Sequence, residues 1–223
     1  VVRAPPREAH AADGPPLADK TLVAWVAPSN LTQKGGGVLT IDDRQSHFDA
    51  IVFGERAPAR WMAGSDRYRR SELAQDGWTP ESADSATLVQ IALAYRRTEV
   101  AAYRNGTLYS RHTIKAPQSF GPGSVVLAGP RHLGNNDFFA GAVDELRVYD
   151  RALTAEQIAA LKPGEPSDPA PWAWWTFDDN ACTDRTRRFT AARLIGGARV
   201  EGGRLLLDGR RATFAAEIGR AHV

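Results

Sequence analysis

Apolar and polar residues alternate along this chain in short runs separated by glycine, proline and asparagine. Period-two alternation over such lengths is the signature of half-buried strands, not helices. The runs are Thr21–Val26, Val38–Ile41, Ala50–Phe53, Arg60–Ala63, Thr87–Tyr95, Val100–Arg104, Thr107–His112, Ser124–Ala128 and Gly141–Tyr149. They resume at Trp174–Phe177, Arg193–Ile195, Ala198–Val200, Arg204–Leu207 and Ala212–Phe214. Asn105-Gly106 joins two runs as a two-residue hairpin, because both residues tolerate the positive φ that such a turn needs. In Gly141–Tyr149, strict alternation puts Val143, Glu145, Arg147 and Tyr149 on one face and Asp144, Leu146 and Val148 on the other. Ser65–Ser85 is polar and irregular and reads as a long loop.

One helix stands out. Thr154 is placed as an N-cap with Gln157 three residues on, and Leu153 and Ile158 are placed as a hydrophobic staple. The helix should run to about Leu161 and stop at Pro163-Gly164. The fold class predicted is therefore all-β, an antiparallel sandwich with one short flanking helix.

Punctuation divides the chain. Residues 1–16 are rich in proline and alanine without apolar period and read as a disordered lead. Residues 17–162 hold the main set of strands. Lys162–Pro171 carries four prolines in ten residues, and 163–171 reads as a semi-rigid spacer. Residues 172–216 hold the later strands. The last seven residues, 217–223 (EIGRAHV), resemble the in-frame translation of a sequencing adapter and are set aside from the fold. Met62 is the only methionine, so the chain reads as a fragment or a processed form.

Composition narrows the classes. The 223 residues carry 28 Lys and Arg against 26 Asp and Glu, a formal charge of +2, which gives no overall footprint for nucleic acid. No apolar run approaches the ~20 residues that span a bilayer, so no membrane partner is expected. The single cysteine, Cys182, rules out a disulfide scaffold, and no Cys/His spacing resembles a zinc site.

Phe138–Thr154 resembles the closing motif of laminin-G-like, concanavalin A-like jelly-roll domains. There, a last strand of pattern F-x-G-x-[IV]-D-E-x-R-[IV]-Y leads into an RALS/T turn and a short helix. Thr21–Pro28 is similar to the family's W-V strand, Tyr95–Tyr109 to its Y-R-N-G hairpin, and Val125–Leu133 to the strand before the closing motif. The family's opening W-x-F-D and G-x-L-x-L-D-G strands are missing from the N-terminal part. They stand instead after the spacer, at Trp174–Asp179 and Gly203–Gly209. Either the order is permuted and residues 172–216 complete one sandwich, or a second, truncated domain begins there. Permutation is the reading taken, since a sheet lacking two strands would expose apolar edges. The order of pieces also resembles an accessory module of glycoside hydrolase family 32 proteins, the β-fructosidases. The catalytic motifs of their propeller are absent, so no catalytic site is expected in this sequence.

That resemblance implies a non-catalytic module, carbohydrate-binding or interdomain, of a larger fructan-cleaving hydrolase. Such a parent would be secreted, cell-surface or periplasmic, although no signal peptide lies in the sequence. Its partners would be polysaccharide or the parent's catalytic domain. The alternative is an adhesion or scaffold module of a bacterial surface protein.

Sugar faces stack on aromatic rings, and loops carry binding residues. Trp78, Trp61 and Tyr68 in or beside Ser65–Ser85 are thus the candidate sugar contacts, although a tryptophan there could equally staple the loop to the sandwich. Asp144, Asp43 and Asp49 could offer oxygens to Ca²⁺, the one cofactor considered, against an ordinary surface or turn role. Arg67-Tyr68-Arg69-Arg70 reads as a solvated basic run, with acidic polysaccharide or nucleic acid as its ligand alternatives. His47, His112 and His132 have no nucleophile at a recognisable spacing.

Overall fold

A computed structural model describes residues 16–135, 137–178, 180–189 and 192–217. The N-terminal lead up to residue 15 and the tail from 218 lie outside the described residues. Fourteen strands follow the predicted order: β1 (Lys20–Pro28), β2 (Gly36–Asp42), β3 (Phe48–Phe53), β4 (Trp61–Ser65), β5 (Val89–Arg96), β6 (Glu99–Arg104), β7 (Thr107–Thr113), β8 (Val125–Gly129), β9 (Ala140–Tyr149), β10 (Ala173–Trp175), β11 (Arg193–Ile195), β12 (Arg199–Glu201), β13 (Arg204–Asp208) and β14 (Thr213–Glu217). Among the described residues the one α-helix is α1 (Ala155–Ala160). The strands form two antiparallel sheets, an eight-stranded one ordered β12-β13-β9-β1-β5-β6-β7 with β10 also on β9, and a six-stranded one ordered β11-β14-β8-β2-β3-β4. Every strand run predicted from the alternation is present, within one to three residues at its ends.

The inner faces of the sheets enclose the main core. Leu22, Ala24 and Val26 of β1 and Ile91 and Leu93 of β5 meet Ile41, Ile51, Phe53, Trp61 and Phe214 of the facing sheet. Burying these side chains supplies the main favourable term, at about 25 cal/mol per Å² of apolar surface.

The outer face of the larger sheet is also covered. Val23, Trp25, Tyr103 and Tyr149 form a second cluster with Leu153, Ile158 and Leu161. Helix α1 is held there by its capping box, in which Thr154 Oγ1 accepts from Gln157 N and Gln157 Oε1 accepts from Thr154 N. Asn105 and Gly106 sit at φ 49° and 74°, as the hairpin requires. A Cβ on Gly106 would come within 2.8 Å of Ala159 in α1, so the turn also needs glycine for closeness.

Strand β9 departs from strict alternation. Its register against β1 pairs Trp25 with Glu145 and Val26 with Val143, so Asp144 is an extra residue, a β-bulge. Val143 therefore joins Leu146 and Val148 in the core. The expectation that it shares a face with Glu145, Arg147 and Tyr149 is corrected, because a one-residue bulge flips the side chains beyond it.

Residues after the proline segment lie in the same two sheets. β13 pairs with the first half of β9, Leu205 opposite Val143, and β10 with the second half, Trp175 opposite Leu146. β14 pairs with β8, Phe214 opposite Ala128. Glu217, set aside with the tail from sequence, is the last residue of β14 and pairs with Val125.

The proline segment itself is anchored. Arg147 is fully buried, its guanidinium carbon 5.0 Å from the Trp25 ring and 4.7 Å from the Trp174 ring. Its Nε donates to Glu145, and its Nη2 donates to the carbonyls of Lys162 and Glu165, both at 2.8 Å. Gly164 N donates to Glu145, and the Tyr149 hydroxyl meets Ser167 Oγ at 2.9 Å. The segment expected to act as a spacer is thus bound along the outer face by three successive outward residues of β9.

Two outcomes follow. Truncation after Pro171 should abolish cooperative unfolding, because β9 and β8 then expose unpaired edges over an open core; a truncated chain that melts as sharply as the whole would contradict this. Arg147→Ala should cost about 3–5 kcal/mol by leaving Glu145 buried without its partner, and should expose residues 162–171 to limited proteolysis under native conditions.

Candidate functional site

The outer face of the six-stranded sheet carries the loops between β4 and β5 and between β8 and β9. Phe48, Ala50, Val52 and Met62 form an apolar cluster there, against which Trp78 is half-buried. Trp78 also meets the Tyr109 ring edge-on, at 5.6 Å. Its place is that of a staple holding the loop to the sheet.

Trp61, expected as a sugar contact, is corrected. It points into the core with 1% of its surface exposed, and its Nε1 donates to Glu81 at 2.8 Å. An inward position on β4 leaves no face for a ligand. Glu81 is the second anchor of the loop. It accepts from Arg104 through both oxygens and from the N–H groups of Ser82 and Ala83.

Tyr68 is different. It is 37% exposed, in a tight turn at Asp66–Tyr68 directly after β4. Its hydroxyl donates to Glu55 at 2.7 Å, and Arg56 lies 5.8 Å from its ring. The bond to Glu55, with burial added, raises the phenol pKa. The ring is thereby fixed in orientation while part of it faces solvent.

The turn is strained. Arg67 and Tyr68 sit in succession at φ 47° and 56°, where a side chain costs about 1–3 kcal/mol each. What holds them is Arg70. Its backbone N–H donates to Ser65 Oγ, its Nε to Asp49 at 2.6 Å, and its Nη2 to Asp66 at 2.5 Å and to the Phe48 carbonyl. Asp49 in turn pairs with Lys20 of the opposite sheet at 2.8 Å, both fully buried. Lys20 Nζ also lies 4.5 Å from the Tyr95 ring.

Two cavities flank the turn. The first, about 400 Å³, is lined by Arg67, Arg44, Ser46, Phe48 and His132. Its floor is the Phe48 ring stacked on the His132 imidazole, with centroids 4.8 Å apart. His132 Nδ1 donates to the Leu133 carbonyl at 2.7 Å. Arg44 and Ser46, on the opposite lip, are also at positive φ, 62° and 149°. The second cavity, about 570 Å³, is lined by Tyr68, Arg69, Ile114, Lys115 and Pro117. The turn is a ridge between them. Of these residues Tyr68 and the basic run carry a local signal in the sequence; Arg44 and Lys115 carry none, and His132 carries one only for a catalytic base.

The acidic residues considered for Ca²⁺ do not come together. Asp49 is corrected: it is fully buried and already paired with two buried cations, Lys20 and Arg70. Asp43 Oδ1 accepts from the N–H groups of Gln45, Ser46 and His47, and its Oδ2 meets His47 Nδ1 at 2.7 Å. Burial opposes the charge, but these bonds hold its pKa below the usual carboxylate value. Asp144 accepts from Arg204 at 3.2 Å. Burial raises its pKa despite that pairing, and the Asp178 charge adds to the rise. No cluster of three potential metal ligands occurs among the described residues.

Two antiparallel sheets packed face to face, with loops gathered over one outer face, define a jelly-roll sandwich of the lectin and glucanase kind. The family model described as the concanavalin A-like lectin/glucanases superfamily, a laminin-G type, matches residues 8–159, more than half of the chain, and the chain belongs to that family. A search of curated proteins found no match. Among solved structures, a putative carbohydrate binding protein from Bacteroides ovatus superposes with TM-score 0.55 at 14% identity, over 95% of this chain and 56% of that one. Domain 4 of AbnA, a GH43 extracellular arabinanase from Geobacillus stearothermophilus, in complex with arabinotriose, gives TM-score 0.49 at 18% identity, over 67% of this chain and 68% of that one. These are likenesses of fold. No helix among the described residues is long and apolar enough to cross a membrane.

Burial raises the Glu81 pKa, yet the bonds from Arg104, Trp61 and Ala83 bring it from 4.5 down to about 2. A depressed carboxylate stabilises the fold above its unfolded pKa and loses that contribution as pH falls through the folded value. Stability should therefore fall on this group's account as pH drops from above 4.5 to below 2, by at most about 3 kcal/mol and by less where solvent screens the partly exposed Arg104. Glu81→Gln should lower stability at pH 7 and flatten that part of the acid limb in denaturant titrations.

Proposed function

We propose that this chain is a carbohydrate-binding accessory module, with the Arg67–Tyr68 ridge and its two flanking cavities as the sugar-contact surface. The observation that carries the reading is the ridge itself. An exposed ring is locked by Glu55 on a backbone turn held in a strained conformation, and the buried Lys20–Asp49–Arg70 chain maintains it. Strain retained at such expense to stability belongs to sites where geometry is used. A fixed aromatic face beside cavities whose lining mixes apolar side chains with Arg44, Ser46, Arg67, Arg69 and Lys115 suits a sugar, whose apolar face stacks while its hydroxyls find polar partners.

The parent is proposed to be a secreted bacterial glycoside hydrolase. The order of sequence pieces, resembling the module beside β-fructosidase propellers, makes a fructan-cleaving enzyme the first parent to consider. The completion of both sheets by residues 173–217 supports the permuted reading of the chain. Ca²⁺ has no part in this proposal.

Affinity electrophoresis of the purified chain through gels containing inulin, levan, arabinan or pectic polysaccharide tests it. At least one polysaccharide should retard migration, and Tyr68→Ala should remove most of that retardation, a loss of tenfold or more in affinity. Trp61→Phe should leave binding intact. Retardation that survives Tyr68→Ala would place the sugar surface elsewhere.

A further inference from the structure

The ridge carries positive charge that its surroundings do not answer. Arg56 is exposed beside the Tyr68 ring, Arg67 lines the first cavity, and Arg69 and Lys115 line the second. The neighbouring acids are engaged elsewhere. Asp42 accepts from the N–H groups of Arg44 and Leu133, Glu55 from Arg131 and Tyr68, and Asp66 from Arg70. Arg44 is itself paired with Glu217 at 2.6 Å and adds nothing to the surplus. Among the described residues Arg67 and Lys115 have no acidic partner, and Arg69 reaches Asp66 only at 3.7 Å. The whole chain has a formal charge of +2, so this concentration is local.

Guanidinium groups bind planar carboxylates and sulfates through paired N–H donors, and an ammonium adds a point charge. Set beside a fixed ring, they make a surface with two demands: a sugar face and an acid group on the sugar. We infer that the ridge binds an anionic glycan, a polysaccharide bearing carboxylate or sulfate groups. A sugar ring rests on Tyr68, with acid groups reached by Arg67 on one side and by Lys115 on the other. The inference rests on the carbohydrate-binding reading and names its ligand class. A fructan-cleaving parent would then be held to an acidic matrix and not to its own neutral substrate. Nucleic acid fits the ridge less well, because the ridge offers one exposed ring at a point cluster of charge and no stripe along which a phosphate backbone could run.

Calorimetric titration of the full chain at about 150 mM salt separates the outcomes. The probes are oligogalacturonate, a neutral galactan oligosaccharide of equal length, a sulfated dextran oligosaccharide and a single-stranded DNA oligomer. Oligogalacturonate or sulfated dextran should bind at least tenfold more tightly than the neutral galactan and the DNA; whichever of the two binds identifies the acid group. Arg67→Gly relieves the positive-φ strain, so its melting temperature should be equal or higher while acidic affinity falls at least tenfold. Lys115→Ala should act in the same direction. Equal binding of galactan and oligogalacturonate overturns the anionic assignment and leaves the carbohydrate-binding reading standing. Binding of DNA as tightly as of the glycans overturns glycan recognition in favour of a general polyanion surface. No binding of any probe overturns both readings. A folded Arg67→Gly protein with full acidic affinity overturns the role given to Arg67.

Discussion

A buried chain of charges, Lys20 to Asp49 to Arg70, crosses from one sheet to the other and ends under the loop that carries the ridge. Such pairs add little net stability, since desolvation offsets most of their attraction. Their consequence is positional. Arg70 has only one arrangement in which its donors reach Asp49, Asp66 and the Phe48 carbonyl together. That arrangement holds Arg67 and Tyr68 in the left-handed region, while Arg69 between them and Arg70 stays right-handed. Removing any member would leave a charge in the core without its counterpart, so the loop base and the sandwich interior are tied to one geometry.

Much of this was legible in the sequence, and the parts that were not have identifiable causes. The strand runs and the capped helix follow from period-two alternation and from the Thr154–Gln157 spacing, because both are local. The bulge at Asp144 is a relation between β9 and β1, invisible to either strand alone. Asp49 carries a signal of burial in its own strand. It alternates with Ile51 and Phe53, which face the core, so its position in β3 already pointed inward. Lys20 alternates with Leu22 and Ala24 in the same way on the facing sheet. An acid and a base on opposed inner faces predict an internal pair, not a rim ligand. Trp61 alternates with Ala63 and is core for the same reason. Tyr68 and Trp78, on the loop, had no period to decide between them; tertiary packing covered one and exposed part of the other.

The second structural theme is the docking of the proline segment. Proline limits the conformations open to residues 162–171, which lowers the entropy lost when the segment is fixed. Arg147, Glu145 and Tyr149 then bind it by backbone carbonyls, a backbone N–H and a serine hydroxyl, none of which depends on the identity of the prolines. The same two tryptophan faces that enclose Arg147 come from β1 and β10, one on each side of the segment in sequence. The guanidinium therefore joins the beginning of the chain to its later strands, and the family resemblance at residues 8–159 covers only the first part of what the sheets contain.

The division of one edge of β9 between β10 and β13 has a consequence for synthesis. A ribosome adds roughly 5–20 residues per second, so β9 emerges seconds before the strands that close its edge. During that interval an apolar, unpaired strand sits beside a half-built core, with β8 waiting in the same way for β14. Pairings of such wide sequence separation form slowly. The nascent chain is thus most exposed to self-association late in translation, and slowing elongation between the codons for Tyr149 and Thr213 would lengthen the hazard where slowing it earlier would not.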